Sequence, residues 1–167
     1  MKGACMMQTS RDDGAGRKLD AIDRRICAEL SRDATLPYAE LSSRVGLSAA
    51  AVHERVRRLR ASEVIVATVA RLDGAAMGRP MLCFVMIRLH DRDADALRDL
   101  SDWPEVEEVH VTTGADDAMV KLRCGGPEAL DDLLRRIARR PEVRDLCARP
   151  ALRTLVERGP SAELSAD

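Results

Sequence analysis

Two stretches of this chain match each other at an offset of 37 residues: Leu97-Arg-Asp-Leu-Ser-Asp-Trp-Pro-Glu-Val106 and Leu134-Arg-Arg-Ile-Ala-Arg-Arg-Pro-Glu-Val143. In each copy two aliphatic residues three apart read as the end of a helix, Pro-Glu breaks it, and Val opens a strand. A repeat that falls on the same three events twice implies two βαβ units in tandem. The flanking pattern agrees. Met81 to Leu89 is an apolar strand, and Ala94 to Trp103 is helical with Leu97 and Leu100 inward. Val106, Val109 and Val111 mark a second strand, and Ala118 to Leu122 a third. Gly125-Gly126-Pro127 opens a helix through Arg140, since proline is tolerated in a first turn. Val143 to about Val156 is a last strand, where Pro150 demands an edge position or a bulge. The product is a ferredoxin-like β-α-β-β-α-β domain over residues 80–157.

The N-terminal half is built differently. Leu19, Ile22, Ile26 and Leu30 recur at helical spacing behind Asp20, a plausible N-cap, with Asp23 three residues on. This helix should end near Ser31–Asp33, and Pro37 can open the next. Leu41 and Val45 share a face, Gly46 supplies the left-handed conformation that ends a helix, and Ser48 caps a third. Behind that cap Val52, Val56 and Leu59 form one inward stripe. Three short helices over residues 18–63 thus share a small core of Leu30, Leu41, Val45, Val52, Val56 and Leu59. The overall class is α+β, a helix-turn-helix unit followed by a ferredoxin-like one.

The face of the third helix opposite its stripe suggests a role. Ala50, Glu54 and Arg57 point away from Val52 and Val56, with His53 and Arg58 on the flanks. A recognition helix in a major groove needs small residues near its N-terminus and hydrogen-bonding side chains beyond them. Arg57 and His53 are expected to read bases, Ala50 to give clearance or meet a thymine methyl, and Arg58 and Ser48 to hold phosphate. Glu54 would repel phosphate but can accept from cytosine N4. Set against this is the plainer reading, a solvated charged face. Charge distribution favours contact with a polyanion by one part only. Residues 44–60 hold five Arg against one Glu, while residues 74–167 are net acidic within a chain of net charge −1.

Between the halves, Val64 to Leu72 is β-branched and reads as a wing or a connecting strand. Asp73-Gly74 and Gly78-Arg79-Pro80 bracket a hinge, so residues 64–79 form the connection. Residues 1–17 read as a disordered tail and 158–167 as a frayed one. No apolar run approaches the roughly 20 residues of a membrane span. Five cysteines (5, 27, 83, 124 and 147) without a CxxC read as buried reduced thiols, neither disulfide framework nor zinc site. His53, His90 and His110 lack metal-ligand spacing. Neither a metal nor a cofactor is expected, and no Ser/His/Asp set or phosphate loop suggests an enzyme.

Several stretches carry a family resemblance. They are Leu19-Asp-Ala-Ile-Asp-Arg-Arg-Ile26, Leu41-Ser-Ser-Arg-Val-Gly-Leu-Ser48 and Arg55-Val-Arg-Arg-Leu59, extended by Val64-Ile65, Thr113-Gly114 and Asp117. Over roughly Leu19 to Glu157 the chain resembles the Lrp/AsnC (feast/famine) transcriptional regulators. The resemblance implies a cytoplasmic, sequence-specific binder of double-stranded DNA. It also implies a homodimer joined through the ferredoxin-like domain, able to assemble into tetramers or octamers. It places an amino-acid effector near Gly114 and Asp117. Glycine lets backbone N–H groups approach a carboxylate, and a side-chain carboxylate can hold an ammonium. The chain departs from the family at three places. Asp116 and Ala118 flank Asp117 where an aromatic residue is usual, Leu146 and Ala148 replace threonines of the last strand, and Glu63 replaces a glycine. If position 63 is left-handed, a side chain there costs about 1–2 kcal/mol.

Two other readings stay open. One is a ligand-sensing oligomeric module whose helix-turn-helix no longer reads DNA. The other is an enzyme resembling siroheme decarboxylases, which share this two-domain layout. His110 would sit near their functional residues, but this chain has Glu108-Val-His-Val-Thr112 there.

Overall fold

The computed structural model describes residues 19–160. The expected tail at 1–17, Lys18, Cys5 and residues 161–167 lie outside the described residues. Two compact units emerge: the described residues up to Val69 together with 158–160, and Ala70–Glu157.

The first unit holds three helices, α1 (Ala21–Arg32), α2 (Tyr38–Val45) and α3 (Ala49–Ala61). Local chemistry sets their ends. The Asp23 N–H donates to Asp20 Oδ1 at 2.7 Å, and the Ala51 N–H to Ser48 Oγ at 3.2 Å, so each side-chain oxygen satisfies an orphan donor. Gly46 closes α2 at φ 73°, and nothing lies near the place of its missing Cβ. Conformation rather than space therefore calls for glycine there. Ile26, Leu36, Leu41, Val45, Val52, Val56 and Leu59 are buried, and Leu30 is only partly so. Leu36, in the loop, was not foreseen.

The end of α3 contains a non-glycine residue in a glycine conformation. Glu63 has φ 55°. Its N–H donates to Arg60 O at 3.0 Å and the Val64 N–H to Leu59 O at 2.9 Å, the paired bonds of a Schellman motif. The motif forms despite the Cβ, with Val64 packed on the core beside Leu59. Glu63→Gly is expected to raise unfolding stability by about 1 kcal/mol, measured by denaturant titration, because it relieves the left-handed strain. No gain would mean the glutamate's own contacts offset the strain.

The second unit is the four-stranded sheet inferred from the repeat. Strands β1 (Met81–Leu89), β2 (Val106–Val111), β3 (Ala118–Cys124) and β4 (Val143–Pro150) lie in the order β2-β3-β1-β4. All neighbouring pairs are antiparallel, the β-α-β-β-α-β arrangement. Both copies of the repeat end alike. The Trp103 N–H donates to Leu100 O and the Val106 N–H to Trp103 O; the Arg140 N–H donates to Ile137 O and the Val143 N–H to Arg140 O. The helices before them differ. α4 (Pro127–Ala138) is an α-helix, whereas Ala94–Asp102 is a 3-10 helix. Asp93 caps the latter by accepting from the Asp95 N–H at 3.1 Å.

Cys83, Val85, Ile87, Ala118, Val120 and Leu122 form a buried sheet face under Leu97, Leu100, Leu130, Leu133 and Ile137. Leu146 and Ala148 pack on this same core. Arg136 stacks on the Trp103 ring at 3.8 Å, and Arg140 donates to both Asp99 oxygens at 2.8 and 2.7 Å. The Arg140 bond holds the Asp99 carboxyl below its usual range. A depressed carboxylate stabilises the fold above its unfolded value, about 4, and this is lost as pH falls through the lower folded value. The stability advantage of the wild type over Asp99→Asn is therefore expected to be full above about pH 5 and to decline as pH falls below about 4. Unfolding titrations across that range would show it, and an advantage independent of pH would contradict the assignment.

Three sequence expectations need correction. Residues 66–73 take no place in the sheet, so the connecting strand is an unpaired segment in which Val69 is 80% exposed. β-branched residues favour extended backbone, but a ladder also needs a partner. The last strand stops at Pro150, not Val156. It is an edge strand, where a residue without N–H is tolerated and ends the pairing. Of the described cysteines Cys83 and Cys124 are buried, Cys27 is partly exposed, and Cys147 is exposed on β4.

Candidate nucleic-acid interface

Helix α3 divides cleanly. Val52, Val56 and Leu59 are buried at 0–2% exposure, while Ser48, Ala50, His53, Glu54, Arg57 and Arg58 are all exposed. All six residues expected on the DNA-reading face are therefore presented to solvent by one capped helix of 13 residues. Their side chains are not equally available.

Ser48 uses its oxygen as an acceptor for the Ala51 N–H, which leaves its hydroxyl hydrogen to donate. His53 meets the Tyr38 ring edge-on at 5.6 Å between centroids, so α2 braces it. Arg57 donates from Nε and Nη2 to the two carboxylate oxygens of Glu54, at 3.0 and 2.7 Å. That guanidinium holds the Glu54 carboxyl below its ordinary range and Glu54 raises Arg57 in turn.

Arg58 departs most from expectation. Its Nη2 donates to both oxygens of Asp23, at 3.2 and 3.0 Å. Arg55 Nη1 reaches the same Asp23 at 2.7 Å and Asp20 at 2.6 Å. Asp23, only 4% exposed, thus anchors two arginines of α3 to α1. Sequence reasoning saw Asp23 as part of a cap and missed this role. The signal was an acid at the third position of α1 facing an Arg-x-x-Arg pair, which becomes legible only once the helices are packed.

The second expected site lies in the loop between β2 and β3. Gly114 sits there at φ 104°, exposed, and Asp117 is buried. Asp117 Oδ2 accepts the Leu89 N–H at 2.9 Å, and Oδ1 pairs with Arg92 Nε at 3.0 Å. The carboxylate therefore already ties the loop to the end of β1. Arg92, in the turn after β1, at φ 56° and 75% exposed in its side chain, is the partner that the sequence did not flag. Leu146 and Ala148, which stand where the family usually has threonines, pack on the core.

Elsewhere in this unit a cavity of about 540 Å3 lies along Leu82, Phe84, Lys121, Arg153 and Glu157, and neither Gly114 nor Asp117 lines it. Burial works against the Lys121 ammonium there, but Glu157, Glu108 and Glu107 outweigh it and hold the lysine above its ordinary range. His110 bonds Glu108 at 2.8 Å on an exposed strand surface. No described helix is long and apolar enough to cross a membrane.

Comparison with known proteins places both units. Residues 19–60 match the AsnC-type helix-turn-helix domain, and residues 82–161 match the Lrp/AsnC ligand binding domain. The chain is 36% identical over 126 residues to the HTH-type transcriptional regulator FL11 of Pyrococcus horikoshii, covering 75% of this chain and 83% of that protein. The feast or famine regulatory protein of Mycobacterium tuberculosis, solved in complex with L-methionine, superimposes with a TM-score of 0.79 at 34% identity. That match covers 84% of this chain and 96% of the other. E. coli AsnC superimposes with a TM-score of 0.77 at 27% identity, covering 86% and 98%.

Proposed function

This chain belongs to the Lrp/AsnC family of helix-turn-helix transcriptional regulators, and we propose that it regulates by laying the outward face of α3 in the major groove of specific operators. One observation carries the reading: α3 buries one stripe completely and presents Ser48, Ala50, His53, Glu54, Arg57 and Arg58 together on the other side. Ala50 lets the helix approach closely, His53 and Arg57 face base edges, and Ser48 donates to phosphate. Arg58 can add a phosphate contact through donors other than the Nη2 held by Asp23. The protein acts in the cytoplasm as a homodimer joined through the ferredoxin-like unit, which offers two such helices to half-sites about one helical turn apart. Dimers associate further into tetramers or octamers.

The effector reading follows from the 112–117 loop. An amino acid would bring its carboxylate to Arg92 and its ammonium to Asp117, near the Gly114 backbone. The M. tuberculosis relative was solved with L-methionine. Asp117→Asn keeps an acceptor for the Leu89 N–H but loses the charge. It is expected to leave DNA binding intact and to abolish any response to amino acids. A retained response would move the effector elsewhere, the Lys121 cavity first.

The test of function is retention of a fragment from upstream of the protein's own gene, against competitor DNA and across a salt series, with each amino acid in turn. Binding should survive competitor and weaken steeply as salt rises, because phosphate contacts release counterions. If neither that fragment nor any sequence selected from a random library is preferred, the chain is a sensing module that does not read DNA.

A further inference from the structure

We infer that Glu54 and Arg57 act as one preassembled guanine reader, with Glu54 as the positioning residue. This rests on the reading of α3 as a recognition helix and names the base it recognises. Three arginines of α3 have acidic partners. Arg55 and Arg58 turn to Asp23 on α1, and only the partner of Arg57 lies on the outward face with it.

The stereochemistry makes that pairing useful. A guanidinium has five N–H donors on two usable edges. Arg57 commits one edge, Nε and Nη2, to both oxygens of Glu54. The other edge, Nη1 with the second Nη2 hydrogen, has no protein partner among the described residues. Two parallel N–H groups on that edge match O6 and N7 of guanine, the pair of acceptors that distinguishes guanine in the major groove. Both side chains are well exposed, at 63% for Glu54 and 70% for Arg57, so a base can reach them.

The pair also resolves the presence of an acid on a surface meant for a polyanion. An isolated Glu54 would be repelled by phosphate. Paired with Arg57 it forms a neutral doublet that restricts the arginine to few rotamers. In water such a pair adds little, but groove docking expels water and tightens it. Glu54 keeps a lone pair on each oxygen, but both oxygens are turned to Arg57, so its assigned part is to orient the arginine rather than to read cytosine N4.

The experiment is selection of preferred sites from random DNA by the full-length wild type, Glu54→Gln and Arg57→Ala, each first shown to melt cooperatively. It is followed by binding to the wild-type site with 7-deazaguanine, which lacks the N7 acceptor, at the position that Arg57 specifies. Wild type should select one guanine per half-site whose identity Arg57→Ala no longer specifies. Glu54→Gln should keep the rest of the site but lose about tenfold in preference for that guanine. The 7-deazaguanine penalty should be about tenfold for wild type and much smaller for Glu54→Gln. If Glu54→Gln keeps both the guanine preference and the penalty while Arg57→Ala loses them, Glu54 positions nothing. If the base that depends on Arg57 is not guanine, the assignment is wrong. If Arg57→Ala changes no base preference, α3 docks by another face and the functional reading fails with the inference.

Discussion

Replacing Asp23 by alanine is expected to lower the stability of the helical unit by about 1–3 kcal/mol and to steepen the salt dependence of DNA binding. Asp23 is 4% exposed and accepts from Arg55 at 2.7 Å and from Arg58 at 3.2 and 3.0 Å. Removing one member of a buried ion pair costs several kcal/mol when the remaining charge stays buried. Here the loss is smaller, because the arginine side chains are 24% and 59% exposed and can turn to water. Arg55 keeps its bond to Asp20, but Arg58 is freed, and each phosphate contact it gains with the released Nη2 adds about 0.9 to the slope of log affinity against log salt. Urea unfolding would measure the first effect and a salt titration the second. A slope unchanged by Asp23→Ala would mean that the anchor only holds α1 to α3.

Arg57→Ala separates binding from folding. Its side chain is 70% exposed and its partner Glu54 is exposed too, so stability should change by less than about 0.5 kcal/mol. Binding to a preferred operator should weaken by about 1–3 kcal/mol, with specificity relaxed at one position per half-site. A uniform loss across all sequences, with base preference kept, would make Arg57 a phosphate contact instead. The two variants thus have opposite signatures: Asp23 acts mainly on the fold and the salt slope, Arg57 on base choice.

Much of this organisation is legible in the chain because local signals decide it. Asp20, Ser48 and Gly46 are read directly as caps, and the structure places each at the helix end it should close. The repeat ending in Pro104-Glu105 and Pro141-Glu142 reveals the doubled βαβ layout, since each copy starts a strand at Val106 or Val143. The strain at Glu63 is legible through the family resemblance rather than a local signal, since the family usually has glycine there, and the residue is left-handed at φ 55°. What stayed hidden depends on packing between elements distant in sequence. Nothing local says that Asp23 meets Arg58 rather than capping α1, or that Leu146 and Ala148 turn to the core. Val64 to Leu72 shows the limit of propensity, for its residues favour a strand and the sheet of this chain does not include it.

The central claim is that the outward face of α3 lies against base edges. Disulfide trapping tests it most directly. Ala50→Cys would be mixed with operator DNA carrying a thiol-tethered cytosine at successive positions, with the wild-type chain and its exposed Cys147 as the control. The account predicts a cross-link from position 50 at one or two adjacent bases in each half-site, and none from the wild type. Specific binding without any cross-link at position 50, or trapping as efficient through the native thiols, would contradict it.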